Sequence, residues 1–268
     1  MNLLDVRLVV SDLDGSLLNA EHEASEEFFA LHERMTALGI HFAAASGRQH
    51  ASIRDKLARI ADDIGVLAEN GAYATYRGEE LTRITMDAAH VRQVLKRVER
   101  HENIHVVLCT AQQAYTLDRS ADFLAYMREF YTSHVALPAY PEELSGYIKL
   151  AIYHADSSEA YVYPLLRDLE PEVKVKVSGR HWVDVSHPSA HKGVAVAALQ
   201  ARLGVTPAQT MAFGDYLNDV ELLQRAAYSY AMANAHPEVK ALARFETASH
   251  RELGVERVLR KLLAAHDA

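Results

Sequence analysis

Residues 6–15 have the sequence VRLVVSDLDG, in which an apolar run leads into two acidic residues and a glycine. The run from Val6 to Val10 is rich in valine and leucine, which is typical of a buried strand in a parallel sheet. Asp12 and Asp14 follow closely after it. The stretch therefore predicts a strand that places two carboxylates at its carboxyl end.

The segments around this strand alternate between helix and strand patterns. Ser25 is a suitable N-cap for a helix whose apolar residues recur at steps of three and four, and Gly39 ends that pattern. The further predicted elements are, in chain order, a strand at Ile40 to Ala45, a helix after Arg48 up to about Ile60, a strand at Gly65 to Ala68, a helix at Lys192 to Leu203, a strand at Thr210 to Phe213, a helix from Asn218, a strand at Tyr228 to Met232 and a helix at Val255 to Ala264. Such alternation predicts an α/β fold with a doubly wound, Rossmann-like parallel sheet, which binds ligands beyond the carboxyl ends of its strands.

The middle of the chain, from about Ile84 to Asp184, has a different pattern. Two runs alternate apolar and polar residues, at Tyr147 to Tyr153 and at Val173 to Val177, which fits an antiparallel sheet with one covered face. Helix patterns at Asp87 to Arg100 and Ser120 to Tyr131 accompany them, and turn residues mark the borders at Arg77-Gly78 and Ser186-His187-Pro188. We therefore predict an α/β core formed by residues 1–83 and 186–268, with an α+β cap domain inserted at residues 84–185.

The composition is that of an ordinary globular protein without a nucleic-acid partner. Hydrophobic residues make up 49% of the chain and charged residues 24%, and the formal net charge is -8. A nucleic-acid-binding surface needs clustered Lys and Arg to neutralise phosphates, and the sequence has no such run. No segment approaches the ~20 apolar residues that cross a bilayer, so we expect no membrane partner.

The cysteine content and the N-terminus favour the cytoplasm. Cys109 is the only cysteine and lies in an apolar run, so we expect a packing residue and no disulfide. The first ten residues lack the basic start and the long apolar stretch of a secretory signal. These features predict a cytoplasmic protein, and they predict nothing about its oligomeric state.

Polar residues recur where predicted strands end and predicted helices begin. They are Asp12, Asp14, Ser46, Lys192, Asp215, Asn218 and Asp219. Carboxylates that converge at one edge of a sheet repel one another unless a cation intervenes, and oxygen ligands without Cys or His favour Mg²⁺. Lys192 and Ser46 can then bind a phosphoryl group, and glycines at positions 15 and 47 let backbone N–H groups approach it closely. The pattern therefore predicts a site for phosphate and magnesium.

Four motifs carry a resemblance to a known family. They are Asp12-Leu13-Asp14-Gly15-Ser16, Ser46-Gly47-Arg48, Lys192-Gly193 and Gly214-Asp215-Tyr216-Leu217-Asn218-Asp219. They resemble the motifs of phosphatases of the haloacid dehalogenase (HAD) superfamily. The insert between the second and third motifs resembles the type IIB cap of the Cof-like branch, to which Glu69-Asn70-Gly71 and Ala231-Met232-Ala233-Asn234-Ala235 are also similar. The similarity covers nearly the whole chain and extends to bacterial sugar phosphatases.

The resemblance implies a Mg²⁺-dependent phosphatase that forms a phosphoaspartate. It implies that Asp12 is the nucleophile and that Asp14 protonates the leaving group and then activates water, both of which are sound carboxylate chemistry. The implied metal ligands are Asp12, the main-chain carbonyl of Asp14, and Asp215, with Asp219 supporting them. The implied phosphate-binding residues are Ser46, Lys192 and Asn218, and the backbone at Gly47 is predicted to contact the same group.

Two residues depart from the family pattern. Ser16 replaces the usual threonine and keeps its hydroxyl group. Ala233 replaces the glycine that is common before Asn234, which bears on the geometry of that loop. Neither residue takes part in the predicted chemistry.

The predicted substrate is a small phosphorylated metabolite, and specifically a sugar phosphate, selected by the insert. The core motifs use their polar groups on phosphate and metal, so the rest of the substrate has to be recognised elsewhere. Residues available in the insert, none of them assigned as a ligand, are Tyr115, Arg119, Tyr126, Arg128 and Tyr131.

Two other functions stay open from the sequence. A phosphomutase could use the same core motifs and return the phosphoryl group to a sugar. A receiver module also has acidic residues, a Ser or Thr and a Lys at strand ends, and it accepts a phosphoryl group without turnover. The receiver is disfavoured because a domain-sized insert separates Ser46 from Lys192, and because a receiver has no counterpart of residues 214–219.

Overall fold

A computed structural model of the chain describes residues 2–118, 120–128 and 130–267, so that Arg119 lies outside the described residues. Contacts divide the chain into two compact units. The first consists of the described residues of Met1–Gly47, Ile53–Thr82 and His191–Ala268, and the second of those of Arg48–Ser52 and Arg83–Ala190. The boundaries near residues 83 and 190 lie close to the predicted ones at 83 and 185. That the second unit acts as a cap stays a prediction.

Within the described residues, strands and helices alternate through most of the chain. The strands are β1 (Leu8–Asp12), β2 (His41–Ala45), β3 (Gly65–Ala68), β4 (Tyr73–Tyr76), β5 (Glu79–Arg83), β6 (Ile104–Cys109), β7 (Ala114–Thr116), β8 (His134–Ala136), β9 (Lys149–His154), β10 (Lys174–Gly179), β11 (Trp182–Ser186), β12 (Thr210–Gly214), β13 (Tyr228–Ala231) and β14 (Phe245–Glu246). The helices are α1 (Glu26–Ala37), α2 (His50–Lys56), α3 (Ala88–Val98), α4 (Ala121–Met127), α5 (Ser158–Tyr161), α6 (Tyr163–Leu166), α7 (Lys192–Leu203), α8 (Val220–Leu223), α9 (Pro237–Leu242) and α10 (Gly254–Asp267). None of these helices is both long and apolar enough to cross a membrane.

The first sheet has the strand order β14-β13-β12-β1-β2-β3-β4-β5. Its strands from β14 to β3 are parallel, and β4 joins β3 in the antiparallel direction. In the register of the central strands, Asp12 lies beside Ala45 and Ser11 beside Phe213. The carboxyl ends of β1, β2 and β12 therefore lie together at one edge of the sheet, as the sequence pattern predicts, and the α/β fold class is confirmed.

The core of the first unit explains why β1 is apolar at successive positions. Leu8, Val9 and Val10 are all fully buried, because both faces of the sheet are covered. Among the helices, α1 packs against α10 and α7 packs against α8. Helix α1 begins as predicted, with the Ser25 hydroxyl oxygen accepting a hydrogen bond from the N–H of Phe28 at 3.0 Å.

The second unit contains a six-stranded sheet of order β10-β11-β9-β6-β7-β8. Its strand pairs are antiparallel except for β7 with β8. Alternate residues such as Val106 and Leu108 share a core with Val91 and Val94 of α3, so helices cover one face of this sheet. The prediction of a mainly antiparallel sheet is therefore confirmed. The prediction that only one face is covered is wrong, because Val107 and Cys109, which point away from Val106 and Leu108, are also fully buried, and Phe123 of α4 packs against Tyr153 and Trp182. Cys109 is buried at the end of β6, as expected for a packing residue.

Several local predictions differ from the structure. Arg77 and Gly78, predicted to border the insert, instead form the turn between β4 and β5 and have positive φ angles of 50° and 78°. Helix α2 ends at Lys56, short of Ile60. β4 and β5 form because they pair with each other at the edge of the sheet. A short run of polar and aromatic residues does not indicate such pairing by itself.

Candidate active site

The predicted site residues of the core come from five segments of the first unit. Asp12 is the last residue of β1, Ser46 follows β2, and Asp215 follows β12. Lys192 is the first residue of α7, and Asn218 and Asp219 lie in a short 3₁₀ turn at Leu217–Asp219. Because parallel strands end at the same edge, side chains that are distant in sequence meet there.

Lys192 lies between two carboxylates. Its Nζ donates to Oδ1 of Asp12 and to Oδ1 of Asp219, each at 2.6 Å, and all three residues are buried. Short charge-assisted bonds of this kind offset part of the loss of hydration that burial imposes on the three side chains. The ammonium group thereby fixes the position of the Asp12 side chain.

Burial and charge shift the ionisation of this group. Burial raises the pKa of Asp12 well above its usual range, and the carboxylates of Asp219 and Asp215 add to the shift against the opposing effect of Lys192. Burial also raises the pKa of Asp215, to about 7, with a further contribution from Asp219. Burial alone would lower the pKa of Lys192, but Asp12 and Asp219 outweigh it and the net shift is upward. The site thus holds more negative charge than its one ammonium group balances.

The carboxylates of Asp12, Asp215 and Asp219 form a group that fits a divalent cation. One oxygen from each lies within 4.8 Å of the others. Oδ2 of Asp12 is buried and has no hydrogen-bond partner among the described residues. A buried carboxylate oxygen without a donor is costly unless a ligand completes it. An all-oxygen set with an unfilled acceptor and excess negative charge suits Mg²⁺.

The loop after β12 is held in place by Asp219. Its Oδ2 accepts hydrogen bonds from the backbone N–H groups of Asp215 at 3.0 Å and Tyr216 at 3.2 Å. Gly214 allows this close approach, since a Cβ atom there would lie 2.5 Å from the Cβ of Asp219. Asp219 therefore supports the position of Asp215 with one oxygen while it pairs with Lys192 through the other.

A second close approach joins the loops after β1 and β12. Gly15 has a φ of +85°, and a Cβ atom on it would lie 2.2 Å from Oδ2 of Asp215. Nδ2 of Asn234 donates to the carbonyl oxygen of Gly15 at 2.9 Å and to Oδ2 of Asp215 at 3.2 Å. Glycine is required here by both space and backbone conformation. Ala233, which stands where the family usually has glycine, does not have a positive φ, so this loop accommodates a side chain.

Asp14 is more exposed than Asp12 and lies outside the buried ion group. Its side chain is 39% exposed, and Oδ1 lies 3.4 Å from Nδ1 of His22. His22 belongs to the loop after β1, in which the Asn19 side chain accepts from the N–H groups of Glu21 and Glu23. A carboxyl group with access to solvent can exchange protons, which suits the predicted role of an acid and base.

Ser46 and Asn218 meet a residue that was not predicted to belong to the site. The Ser46 carbonyl oxygen accepts from the N–H of Asn70 at 2.9 Å, and Nδ2 of Asn218 donates to Oδ1 of Asn70 at 3.0 Å. Gly47 passes close to the same amide group, because a Cβ atom there would lie 3.2 Å from Nδ2 of Asn70. Asn70 thus joins the predicted phosphate-binding residues Ser46, Gly47 and Asn218.

The structure therefore brings all the predicted site residues into the first unit and adds Asn70, Asn234 and His22 next to them. Asn70 has a positive φ of 53°, and an asparagine directly before a glycine after a predicted strand is the signal that could have indicated it. Asn234 lies in the segment Ala231 to Ala235, whose similarity to the Cof-like branch is its signal in the sequence, whereas its contact with Gly15 depends on the packing of separate loops. His22 has no such signal, since its contact with Asp14 depends on the fold of the loop after β1.

Comparison with known proteins places this arrangement among haloacid dehalogenase-like hydrolases, whose family model matches residues 9–259. The chain is 27% identical over 268 residues to a 5-amino-6-(5-phospho-D-ribitylamino)uracil phosphatase of Escherichia coli, with 99% of this chain and 98% of that protein covered. It is 30% identical to an HMP-PP phosphatase of Cronobacter sakazakii, with 88% and 87% covered. A solved structure from Streptococcus mutans, 25% identical, matches 97% of this chain and 99% of that one with a TM-score of 0.85.

Proposed function

Because the chain belongs to the haloacid dehalogenase-like hydrolases and is a phosphatase of that family, we propose that it hydrolyses phosphomonoesters with Mg²⁺ through a phosphoaspartate on Asp12. One observation carries the proposal. Lys192 holds Oδ1 of Asp12 at 2.6 Å, while Oδ2 is buried without a hydrogen-bond partner among the described residues. Lys192 thereby fixes the orientation of the carboxylate that would attack phosphorus.

The reaction proceeds in two displacements. In the first, an oxygen of the Asp12 carboxylate bonds to phosphorus, the ester P–O bond breaks, and the leaving alkoxide takes a proton from the Asp14 carboxyl group. In the second, a water molecule attacks phosphorus, gives its proton to Asp14, and releases inorganic phosphate and the Asp12 carboxylate. Atoms and protons balance over the cycle. The partial exposure of Asp14 suits this exchange of protons.

Mg²⁺ would be held by Asp12, Asp215 and the main-chain carbonyl of Asp14, with Asp219 behind them. When bound, it would neutralise charge on the phosphoryl oxygens and on the carboxylate cluster. Lys192 adds a fixed positive charge beside Asp12, and Ser46, Asn218 and the backbone at Gly47 would donate hydrogen bonds to the phosphoryl group. These groups need little rearrangement, because the hydrogen bonds of Asp219 and Asn70 already position the loops that carry them.

The proposed substrate is a small phosphorylated sugar or sugar alcohol. Two relatives act, by their names, on a ribitylaminouracil phosphate and on HMP-PP, so the family branch works on small phosphorylated metabolites. In this proposal the polar groups of the site in the first unit all bind phosphate or metal. We therefore propose that the second unit acts as the cap that recognises the remainder of the substrate. We also propose that the protein acts in the cytoplasm.

The test combines metal dependence with capture of the intermediate. Phosphate release from a panel of phosphomonoesters is measured after dialysis against chelator, and again with Mg²⁺ or Ca²⁺ added. We expect activity when Mg²⁺ is added and none when Ca²⁺ is added. Ca²⁺ has a larger and looser coordination shell, so it can bind both oxygens of Asp12 and leave neither for attack. Hydroxylamine added during turnover should convert Asp12 to a hydroxamate, which peptide mass spectrometry detects. Full activity in chelator, or no modification at Asp12, would contradict the proposal.

A further inference from the structure

A short 3₁₀ turn that contains Asn70 and Gly71 meets three segments that carry predicted phosphate-binding residues. The N–H of Asn70 donates to the carbonyl oxygen of Ser46 at 2.9 Å, and its Oδ1 accepts from Nδ2 of Asn218 at 3.0 Å. Gly71 has a φ of +89°, and a Cβ atom on it would lie 3.0 Å from the Cα of Lys192. The turn is therefore packed against the end of β2, the start of α7 and the loop after β12.

The same contacts join this turn to the buried carboxylates. The Cα of Lys192 lies against Gly71, while the side chain of Lys192 bonds to Asp12. Asn218 directly precedes Asp219, the second carboxylate partner of Lys192. Two separate routes of contact therefore connect the turn with the carboxylate site.

The hydrogen bond between Asn70 and Asn218 fixes which edge of the Asn218 amide faces the turn. Rotation of an asparagine amide by half a turn exchanges its oxygen, an acceptor, for its NH₂ group, a donor. In the exchanged orientation the oxygen of Asn218 would lie against Oδ1 of Asn70, and two acceptors repel each other. Asn70 therefore selects the orientation in which Nδ2 of Asn218 is the donor on this side.

This pair of amides keeps unused donors. Among the described residues, Nδ2 of Asn218 donates to Asn70 alone, and Nδ2 of Asn70 has no acceptor. Both side chains are half-buried. Each NH₂ group carries two hydrogens, so both residues can still donate. A phosphoryl group has acceptor oxygens and negative charge, so it binds an NH₂ group held in one orientation and is repelled by an amide oxygen in the same place.

Gly47 leaves the space that the Asn70 amide occupies. Gly47 does not have a positive φ, so its backbone conformation is open to other residues. A Cβ atom on Gly47 would lie 3.2 Å from Nδ2 and 3.3 Å from Oδ1 of Asn70, so the amide would have to move by a few tenths of an ångström. The absence of a side chain at position 47 is thus explained by the amide beside it.

We propose that Asn70 is a positioning residue for phosphate binding, whose amide oxygen fixes Asn218 as a hydrogen-bond donor to the phosphoryl group. In this role the Asn70 side chain acts through the Asn218 side chain, and Gly47 lacks a side chain so that the Asn70 amide can lie beside it. The inference rests on the proposed function, in which the same site binds the phosphoryl group of an ester.

A double-mutant cycle tests whether Asn70 acts through Asn218. Asn70→Gly removes the amide and keeps the turn, because Asn70 has a φ of 53° and glycine adopts this left-handed conformation readily. The measurement is the inhibition constant of inorganic phosphate against hydrolysis of p-nitrophenyl phosphate with Mg²⁺, in wild type, both single variants and the double variant with Asn218→Ala. Asn70→Gly should raise the constant about tenfold, the size of one hydrogen bond to a charged group. In the Asn218→Ala chain the same change should raise it by less than about twofold.

A second cycle tests the pairing of Gly47 with Asn70. Gly47→Ala keeps the backbone N–H and adds only the Cβ atom that displaces the amide. It should raise the inhibition constant about threefold, part of the effect of the hydrogen bond, and should leave the constant of Asn70→Gly unchanged. Gly179→Ala is the matched control, because a Cβ atom there meets nothing within 4 Å. It should change the constant in neither chain.

The outcome separates this inference from the proposed function. Equal effects of Asn70→Gly with and without the Asn218 side chain would refute the positioning role, because a merely structural role of the turn does not depend on that amide. Calorimetric titration with inorganic phosphate and Mg²⁺ repeats the first cycle without turnover and should give the same pattern. Equal effects in a chain that hydrolyses the ester leave the phosphatase function intact. A wild-type chain that neither hydrolyses the ester nor binds phosphate would contradict both.

Discussion

At the scale of single residues, the site depends on one ammonium group held between two buried carboxylates. Lys192 bonds to Asp12 and Asp219 at equal distances of 2.6 Å. A buried pair of charges gains little over an apolar pair, but removal of one partner leaves a charge without compensation. The three residues therefore form a unit whose value lies in fixing the position of Asp12.

Replacement of Asp12 by asparagine is expected to abolish turnover. The amide cannot supply the attacking oxygen and weakens the metal site, so kcat should fall by at least about 1,000-fold, roughly 4 kcal/mol in the barrier. The thermal midpoint should stay close to that of the wild type, because Lys192 keeps Asp219 as its partner. Phosphate release under saturating Mg²⁺ is the measurement. Retention of more than a few per cent of the rate would remove Asp12 as the nucleophile.

Glu256 should make stability depend on pH. Burial raises the pKa of its carboxyl group above the ordinary 4.5, against the effect of the hydrogen bond donated by the Ser25 hydroxyl. A raised folded-state pKa stabilises the protein fully below pH 4.5, and this stabilisation is lost as the pH rises through the folded-state pKa. Glu256→Gln, which stays neutral, should therefore have a higher thermal midpoint than wild type above neutral pH, with the difference shrinking towards pH 4.5.

The control for this prediction is an exposed glutamate with the opposite shift. Hydrogen bonds from Ser249 lower the pKa of Glu252, so its charged form is the stabilising one. Glu252→Gln should lower the midpoint slightly at neutral pH, where Glu256→Gln raises it. Scanning calorimetry from pH 4.5 to 8 measures both. Parallel curves for wild type and Glu256→Gln would show that Glu256 does not titrate in the way predicted.

At the scale of elements, the start of α1 is joined to α10 through one serine. The Ser25 oxygen accepts from the N–H of Phe28 at 3.0 Å, and its hydroxyl donates to Oε1 of the fully buried Glu256 at 2.7 Å. The sequence predicted the cap of α1 from the residue type alone. The second bond depends on a partner 231 residues away, and it arises only when the two helices pack.

Ser25→Ala should therefore lower the free energy of unfolding by more than the loss of a helix cap does. The change removes the cap, about 1 kcal/mol, and leaves the buried Glu256 without its donor, about 1 kcal/mol more in unfolding free energy. Ser249→Ala is the matched control, because Ser249 also bonds to a glutamate, but an exposed one. It should cost about 0.5 kcal/mol, as is usual at the surface. Equal costs in urea unfolding of the two variants would contradict the role given to Glu256.

The elements around Asn218 show how a side chain can override a local pattern. The sequence predicts a helix from Asn218, whereas the structure has a 3₁₀ turn at Leu217–Asp219 followed by the short helix α8. Asp219 accepts from two backbone N–H groups of the preceding loop, which fixes the chain in a tight turn before the helix can begin. Propensity alone contains no information on that contact.

At the scale of the whole molecule, we expect catalysis and substrate selection to belong to different units. All the proposed catalytic groups belong to the first unit, and residues 84–185 lie in the second. If the second unit selects the substrate, a chain in which residues 84–185 are replaced by a short linker should retain hydrolysis of a small activated ester and lose its ranking of sugar phosphates. Values of kcat/KM for hexose, pentose and tetrose phosphates, nucleotides and phosphoproteins measure the ranking.

Two results would contradict this division. The linker chain could keep the same substrate ranking as the full chain, or nucleotides or phosphoproteins could exceed every sugar phosphate in the full chain. The change expected is a loss of discrimination, because closing parts of an enzyme contribute binding groups and exclude water. Circular dichroism of the linker chain serves as the control for folding of the α/β unit.

The sequence by itself determined the fold class, and it predicted that the proposed site residues lie at one edge of the sheet. Continuous apolar runs such as Val6 to Val10 require burial on both faces, and residues at the ends of parallel strands must share one edge of the sheet. The positions of Asp12, Ser46 and Asp215 follow from that rule, and so does their expected proximity. Helix bounds were predicted best where a local cap exists, as at Ser25 and Lys192–Leu203.

The tertiary structure alone decided how these residues are connected. Lys192 is 180 residues from Asp12, and Asn218 is 148 residues from Asn70, so no local pattern specifies their hydrogen bonds. The same holds for the edge-to-face contact of Tyr216 with His236 and for the donor that Glu256 receives from Ser25. Local sequence sets backbone preference and burial, whereas the orientation of a polar side chain depends on which neighbours the packed core brings within about 3 Å of it.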